Sequence, residues 1–323
     1  MWCFAFLLNI AFVNPASLTV DTKEEKDKMM KNTRVSIYRK NTTRIVEERG
    51  YFMVTDCFFS EISSNNNGGA VCINTNELSI LYCDLSSFSN CSVSGDSQGG
   101  AIFFSSVAGG FSILSKICFI HCFTDNLKSN QFVVSASSHR GPNAAHFCTF
   151  SQAFRKHYQK SISFTFLFGN QSFVSLNVSH NALSQLGCGH FASAIKNVIK
   201  FSTFFNNQAD QGTSILYNAG CQGLIQLSNI VNNTGNRFYI SKTPMIYSFR
   251  STLVIETTIF HNNLYYLFGK TDGSLDVFRC WIPQPYDAFG IHIFRNKGET
   301  STYILTHLQT YLCEADFPLK KLD

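Results

Sequence analysis

The chain has 323 residues, of which 45% are apolar, only 15% are charged and 32 are Phe, with a net charge of +5. So little charge, against roughly 25% in an average globular protein, excludes a disordered chain kept open by solvated charge. No run of Lys and Arg interleaved with aromatics is present, so nucleic acid is not an expected partner.

Residues 1–16 read MWCFAFLLNIAFVNPA. The apolar run from Trp2 to Val13 is too short to cross a bilayer but suits the core of a secretory signal, which is the expectation for 1–16. No Lys or Arg precedes the run, so a buried first strand and an uncleaved anchor stay open as alternatives. No later stretch is apolar enough for a membrane-spanning segment. Residues 17–49 are rich in Lys, Arg and acidic residues and form either a polar N-terminal cap or a linker. Within them RVSIY and RIVEE fit a strand or a turn of helix equally well.

From residue 50 to 295 an apolar residue recurs, followed three positions later by Asn or Cys. The pairs are Phe88/Cys91, Phe119/Cys122, Val178/Asn181, Phe204/Asn207, Ile230/Asn233 and Phe260/Asn263. Phe58 and Phe150 are placed in the same register, with Glu61 and Ala153 in the second slot. The gaps from Phe58 onward are 30, 31, 31, 28, 26, 26 and 30 residues. A period of this size marks a solenoid whose repeats stack as single supersecondary units. Two early repeats add a second motif, Gly68-Gly69-Ala70-Val71 and Gly99-Gly100-Ala101-Ile102. Short β segments broken by Gly, Asn and Ser, with no 3.6-residue periodicity, exclude an α-helical solenoid. The expected fold is therefore all-β: a right-handed parallel β-helix of about eight or nine coils with capping segments. Residues 296–323 break the period and read as a C-terminal cap and tail.

In such a stack, equivalent positions of successive coils lie about 4.8 Å apart. The apolar member should point inward and stack on its counterpart. Asn at the bend should bond to the next coil's Asn and satisfy buried backbone groups. Cys fits the same space without that ladder. Gly-Gly-Ala should supply a positive φ and a close approach of neighbouring coils.

The GGAV, GGAI and Phe-x-x-Asn steps resemble the repeats of chlamydial polymorphic outer-membrane proteins and of similar protozoan surface proteins. The resemblance covers roughly residues 50–295; Phe204/Asn207 and Phe260/Asn263 match in full, and no Gly-Gly-Ala follows Gly110. It implies a right-handed parallel β-helix acting in adhesion or display. The family's C-terminal membrane barrel or helix is not visible here, which favours a secreted product or a chain whose anchor was lost. The implied partners are proteins or glycans of a host or neighbouring-cell surface, met by a monomer.

Twelve Cys are scattered singly, without a CxxC pair or the spacing of a zinc site. They read as small buried residues, with a few disulfides as the alternative. Five acceptor sequons, at Asn41, Asn90, Asn170, Asn177 and Asn232, accord with an extracellular chain. No cofactor or metal is expected. The rival reading is a polysaccharide lyase or hydrolase, which needs clustered charge. Its best candidates are Asp272 and Asp276 with Arg279 nearby; the expectation is instead a turn at Asp272 and a solvated Asp276. His139, His146, His157, His180 and His190 show no shared register with a nucleophile. A third reading, a carbohydrate-binding module, would use Trp281, Tyr286, Tyr265 and Tyr266.

Overall fold

The computed structural model describes residues 35–41, 44–47, 50–95, 97–125, 134–138, 141–153, 162–183, 186–209, 215–218, 220–235, 244–261, 263, 267–282, 292–294 and 305. The expected signal over 1–16, nearly all of the C-terminal cap, Tyr265, Tyr266, Tyr286, His139 and His157 lie outside them. Every regular element among the described residues is a β-strand, and every pairing between strands is parallel. The fold is a parallel β-solenoid.

Each coil runs through the same sequence of ladders. The first ladder holds Gly50–Ser60, Ser79–Asp84, Phe111–Ser115, Pro142–His146, Asn170–Val174, Lys196–Lys200, Gln222–Gln226, Thr252–Glu256 and Ser274–Phe278. A sharp corner leads into the second ladder: the end of Gly50–Ser60, then Ser87–Ser89, Cys118–Ile120, Thr149–Ser151, Asn177–Ser179, Thr203–Phe205, Asn229–Val231 and Ile259–His261. Together these two ladders make an 18-stranded sheet, and the third ladder is a 9-stranded sheet running from Ile45–Glu47 to Phe268–Thr271.

The coil count differs from the eight or nine expected. Val35–Asn41 pairs with Gly50–Ser60 ahead of the periodic motif, and His292–Phe294 pairs with Ser274–Phe278 beyond it. Strand pairing needs only backbone groups, so coils without the motif still add to the first ladder. Both ambiguous N-terminal pieces are accordingly strands. Arg44 closes that end of the third ladder by donating Nε to the Gly68 carbonyl at 2.9 Å and Nη2 to the Asn67 carbonyl at 2.7 Å.

One register assignment is corrected. Phe59, not Phe58, pairs with Phe88, and it is fully buried while Phe58 is only partly so. Side chains alternate along a strand, so a one-residue slip exchanges inside for outside. Inside, Phe59, Phe88, Phe119 and Phe150 form a continuous ring stack with centroids 4.7, 5.0 and 4.8 Å apart. Val178, Phe204, Ile230 and Phe260 continue the column in register.

The corners rest on left-handed backbone at non-glycine residues. Between the first and second ladders the corner residues are Asp56, Leu85, Lys116, Phe147, Ser175, Phe201, Leu227, Thr257 and Arg279, with φ from 47 to 55°. After the second ladder they are Glu61, Asn90, His121, Gln152, His180, Asn206 and Asn232, with φ from 51 to 56°. This conformation costs about 1–2 kcal/mol for a residue with a Cβ. Bonds between coils offset it: the Leu85, Lys116, Phe147 and Ser175 amides each donate to a carbonyl of the next coil at 2.9–3.1 Å.

Candidate functional site

The repeated motif lies within the body. Phe88, Phe119, Val178, Phe204, Ile230 and Phe260 are at most 1% exposed, and Cys91, Cys122, Asn181, Asn207, Asn233 and Asn263 at most 3%. The Asn residues form a ladder through side-chain amides: Asn181 donates to Asn207 Oδ1 at 2.9 Å, Asn207 to Asn233 at 2.9 Å, and Asn233 to Asn263 at 3.1 Å. Each Nδ2 also donates to the carbonyl of the apolar residue one coil back: Phe150, Val178, Phe204 and Ile230 in turn. Cys keeps that second contact. The Cys91 and Cys122 thiols point to the Phe59 and Phe88 carbonyls at 3.6 and 3.4 Å. Burial pushes the Cys122 thiol well up, and its hydrogen bond to Cys91 pulls the Cys91 thiol down.

The two glycines of each Gly-Gly-Ala step do different work. Gly68 and Gly99 adopt φ of 71 and 73°. A Cβ on Gly69 would stand 2.0 Å from the Gly100 carbonyl oxygen, and one on Gly100 would stand 2.3 Å from that of Phe123. Ala70, Val71, Ala101 and Ile102 then turn into the core.

A second polar ladder runs through Ser112, Asn143, Gln171 and Asn197, which share one register position of the first ladder and are all buried. Ser112 Oγ donates to Asn143 Oδ1 at 2.7 Å, and Asn197 Nδ2 to Gln171 Oε1 at 2.8 Å. Asn143 and Gln171 also donate to carbonyls at the Phe168 turn. Three residue types share this column, so no short motif announces it.

The candidate catalytic groups do not converge. Asp272 occupies a corner with φ 51° and faces Arg250 Nε at 3.7 Å, both largely exposed. Arg279 lies in the corner at the other end of the strand Ser274–Phe278, and Asp276 stands between them in an outward column paired with Val254. Among the described residues no three His, Cys, Asp or Glu side chains are placed to share a metal ion. Among the histidines, His146 is in register with Val174, and its Nε2 lies 3.2 Å from Ser172 Oγ diagonally across adjacent coils. Both are buried, at 6% and 3% exposure, so a macromolecular substrate has no access to the pair. His190 has neither ring nitrogen hydrogen-bonded, and burial lowers its pKa to about 4. Trp281, the one described aromatic of the carbohydrate-binding reading, stacks on His261 at 5.3 Å.

Eight described cysteines are free and buried, and Cys118 is disulfide-bonded. Burial pushes Cys148, Cys221 and Cys280 up to about 12, which keeps these thiols protonated and unreactive at neutral pH. Of the sequons, Asn90 and Asn170 are exposed and Asn232 is half-buried. Asn177 is corrected as an acceptor: it is 3% exposed and its Nδ2 is enclosed, so the folded chain has no room for a glycan there. Of Asn41 only the strand backbone is described.

The outward columns contrast with the inward ones. Across the first ladder one reads Asp84, Ser115, His146, Val174, Lys200, Gln226, Glu256 and Phe278, with no repeated chemistry. Against known protein families, curated proteins and solved structures, the chain has no match.

Proposed function

We propose that the chain is a non-catalytic, secreted or cell-surface scaffold that acts in adhesion or contact with proteins or glycans of a host or neighbouring cell. The observation that carries the reading is the division between columns. Inward positions repeat Phe and Asn over successive coils, whereas the outward column from Asp84 to Phe278 changes charge, size and polarity at almost every step. Such a body can alter its lateral surface without disturbing its bore, which suits recognition. The likeness of the GGAV, GGAI and Phe-x-x-Asn steps to the polymorphic outer-membrane protein repeats supports the same reading, as do the exposed sequons at Asn90 and Asn170.

The test is fractionation of cells expressing the tagged chain, with and without deglycosylation. Recovery at the surface or in the medium, with a mass shift on deglycosylation, is expected. A chain retained in the cytosol with its N-terminus intact removes the extracellular premise. Cleavage of an acidic glycan by the purified chain, abolished by Asp276→Ala, decides instead for an enzyme.

A further inference from the structure

The two corner columns have the same backbone but different chemistry, one uniformly polar and the other mixed. After the second ladder the left-handed positions hold three Asn, two His, Glu and Gln, the polar types expected at such a φ. Between the first and second ladders the same conformation is imposed on Leu85, Phe147, Phe201 and Leu227. Bulky apolar residues are outliers there, and they are not repaid by burial: Leu85 is 51% exposed, Phe147 45% and Phe201 38%. Neither the turn nor the core calls for them. The bend itself belongs to every coil and is offset by bonds between coils, so what these residues add is exposed apolar surface, which points to a binding role.

The spacing narrows what binds. Phe147 and Phe201 are two coils apart, with the small Ser175 between them, and Leu85 precedes Phe147 by two coils with Lys116 between. At the strand spacing of a sheet, each interval is about 10 Å. The ridge is one residue wide, whereas a stable protein interface engages roughly 20–30 residues a side. Its backbone amides already donate between coils, so it offers no free edge to an extended peptide. What remains is a linear ligand held by side chains alone, presenting an apolar face at every second coil.

We propose that this ridge binds an extended, uncharged β-1,4-linked glycan lying along the solenoid axis. Successive sugars of such a chain advance by about one coil spacing and alternate in orientation, so every second ring offers the same C–H face. Those C–H groups stack on the electron-rich face of an aromatic ring, here Phe147 and Phe201, while Leu85, two coils before Phe147, extends the apolar track; the half-buried Leu227 is on the coil next to Phe201 and lies outside that spacing. The proposal rests on the surface-contact reading and gives it a ligand class.

The experiment titrates the purified chain with cellohexaose and chitohexaose by calorimetry, with maltohexaose as the α-linked control. Phe147→Gly/Phe201→Gly is the decisive variant, because Gly relieves the positive φ and keeps the chain folded. Asn is avoided, since it would create sequons with Thr149 and Thr203. Binding of either β-linked probe, weakened at least tenfold in the double variant and absent for maltohexaose, is expected; which probe binds separates a glucan from a chitin-type ligand. No binding of either β-linked probe, equal binding of maltohexaose, or binding unchanged in the double variant overturns the proposal. So does a dimer in sedimentation that the double variant dissociates, which would assign the ridge to a second copy. Surface recovery without glycan binding defeats this inference alone; cytosolic retention defeats the reading beneath it.

Discussion

The side-chain amide of Asn207 donates to Asn233 Oδ1 at 2.9 Å, and that same oxygen accepts the Asn207 backbone amide at 3.0 Å. One carboxamide oxygen thus satisfies two donors of the preceding coil, and the pattern recurs from Asn181 to Asn263. Asn207→Ala removes the oxygen that serves Asn181 and leaves the buried Asn181 backbone amide unpaired, while its side-chain amide keeps the Phe150 carbonyl. The expected loss is about 2–4 kcal/mol in denaturant unfolding. Ala153→Asn, whose backbone amide already donates to Asn181 Oδ1 at 3.0 Å, extends the ladder by one coil and should add about 1 kcal/mol. A neutral outcome for both substitutions would show that the ladder does not stabilise the stack.

Phe204 fills the bore between Val178 and Ile230 and is fully buried. Phe204→Ala leaves a cavity bounded by two coils and should cost about 3–5 kcal/mol. A shift in the unfolding midpoint corresponding to less than 1 kcal/mol would mean that neighbouring coils collapse into the space.

Gly100 and Gly95 separate close approach from turn geometry. A Cβ on Gly100 meets the Phe123 carbonyl oxygen at 2.3 Å, whereas one on Gly95, at φ 69°, meets nothing within 4 Å. Gly100→Ala should cost about 3 kcal/mol through overpacking, and Gly95→Ala about 1 kcal/mol through backbone strain alone. Thermal unfolding of the two variants side by side measures the difference.

His190 makes stability depend on pH. Its pKa falls from 6.5 unfolded to about 4 in the folded chain because burial disfavours the cation. Between those values the unfolded chain takes up a proton that the native chain refuses, so stability falls as pH drops below 6.5 and levels off below about 4. From pH 7 to pH 5 the expected loss from this group is about 2 kcal/mol. His190→Leu should abolish that part of the slope in denaturant midpoints measured at the two pH values.

Glycan occupancy should follow exposure. In a glycosylating host, peptide mass spectrometry should find Asn90 and Asn170 modified and Asn177 bare. Asn177 carries an intact sequon but is enclosed in the second ladder.

The inward columns were legible from the amino-acid sequence because the bore presents the same environment at every coil. Phe88, Phe119, Phe204 and Phe260, and the Asn series from Asn181 to Asn263, repeat for that reason, and the period alone implies a parallel solenoid. The doublet Phe58-Phe59 shows where periodicity stops: either residue keeps a gap of roughly 30, and only the pairing Phe59↔Phe88 decides which one enters the bore. Tertiary structure alone also assembles the ladder of Ser112, Asn143, Gln171 and Asn197, because hydrogen-bonding capacity, not residue identity, is what that column preserves. The contact between His146 and Ser172 and the enclosure of Asn177 arise between residues of different coils, at outward positions that no repeat constrains. The apolar corner ridge is the sharpest case. Leu85, Phe147 and Phe201 look like core residues in a Phe-rich chain, and it is the left-handed bend of the backbone that turns them out to solvent.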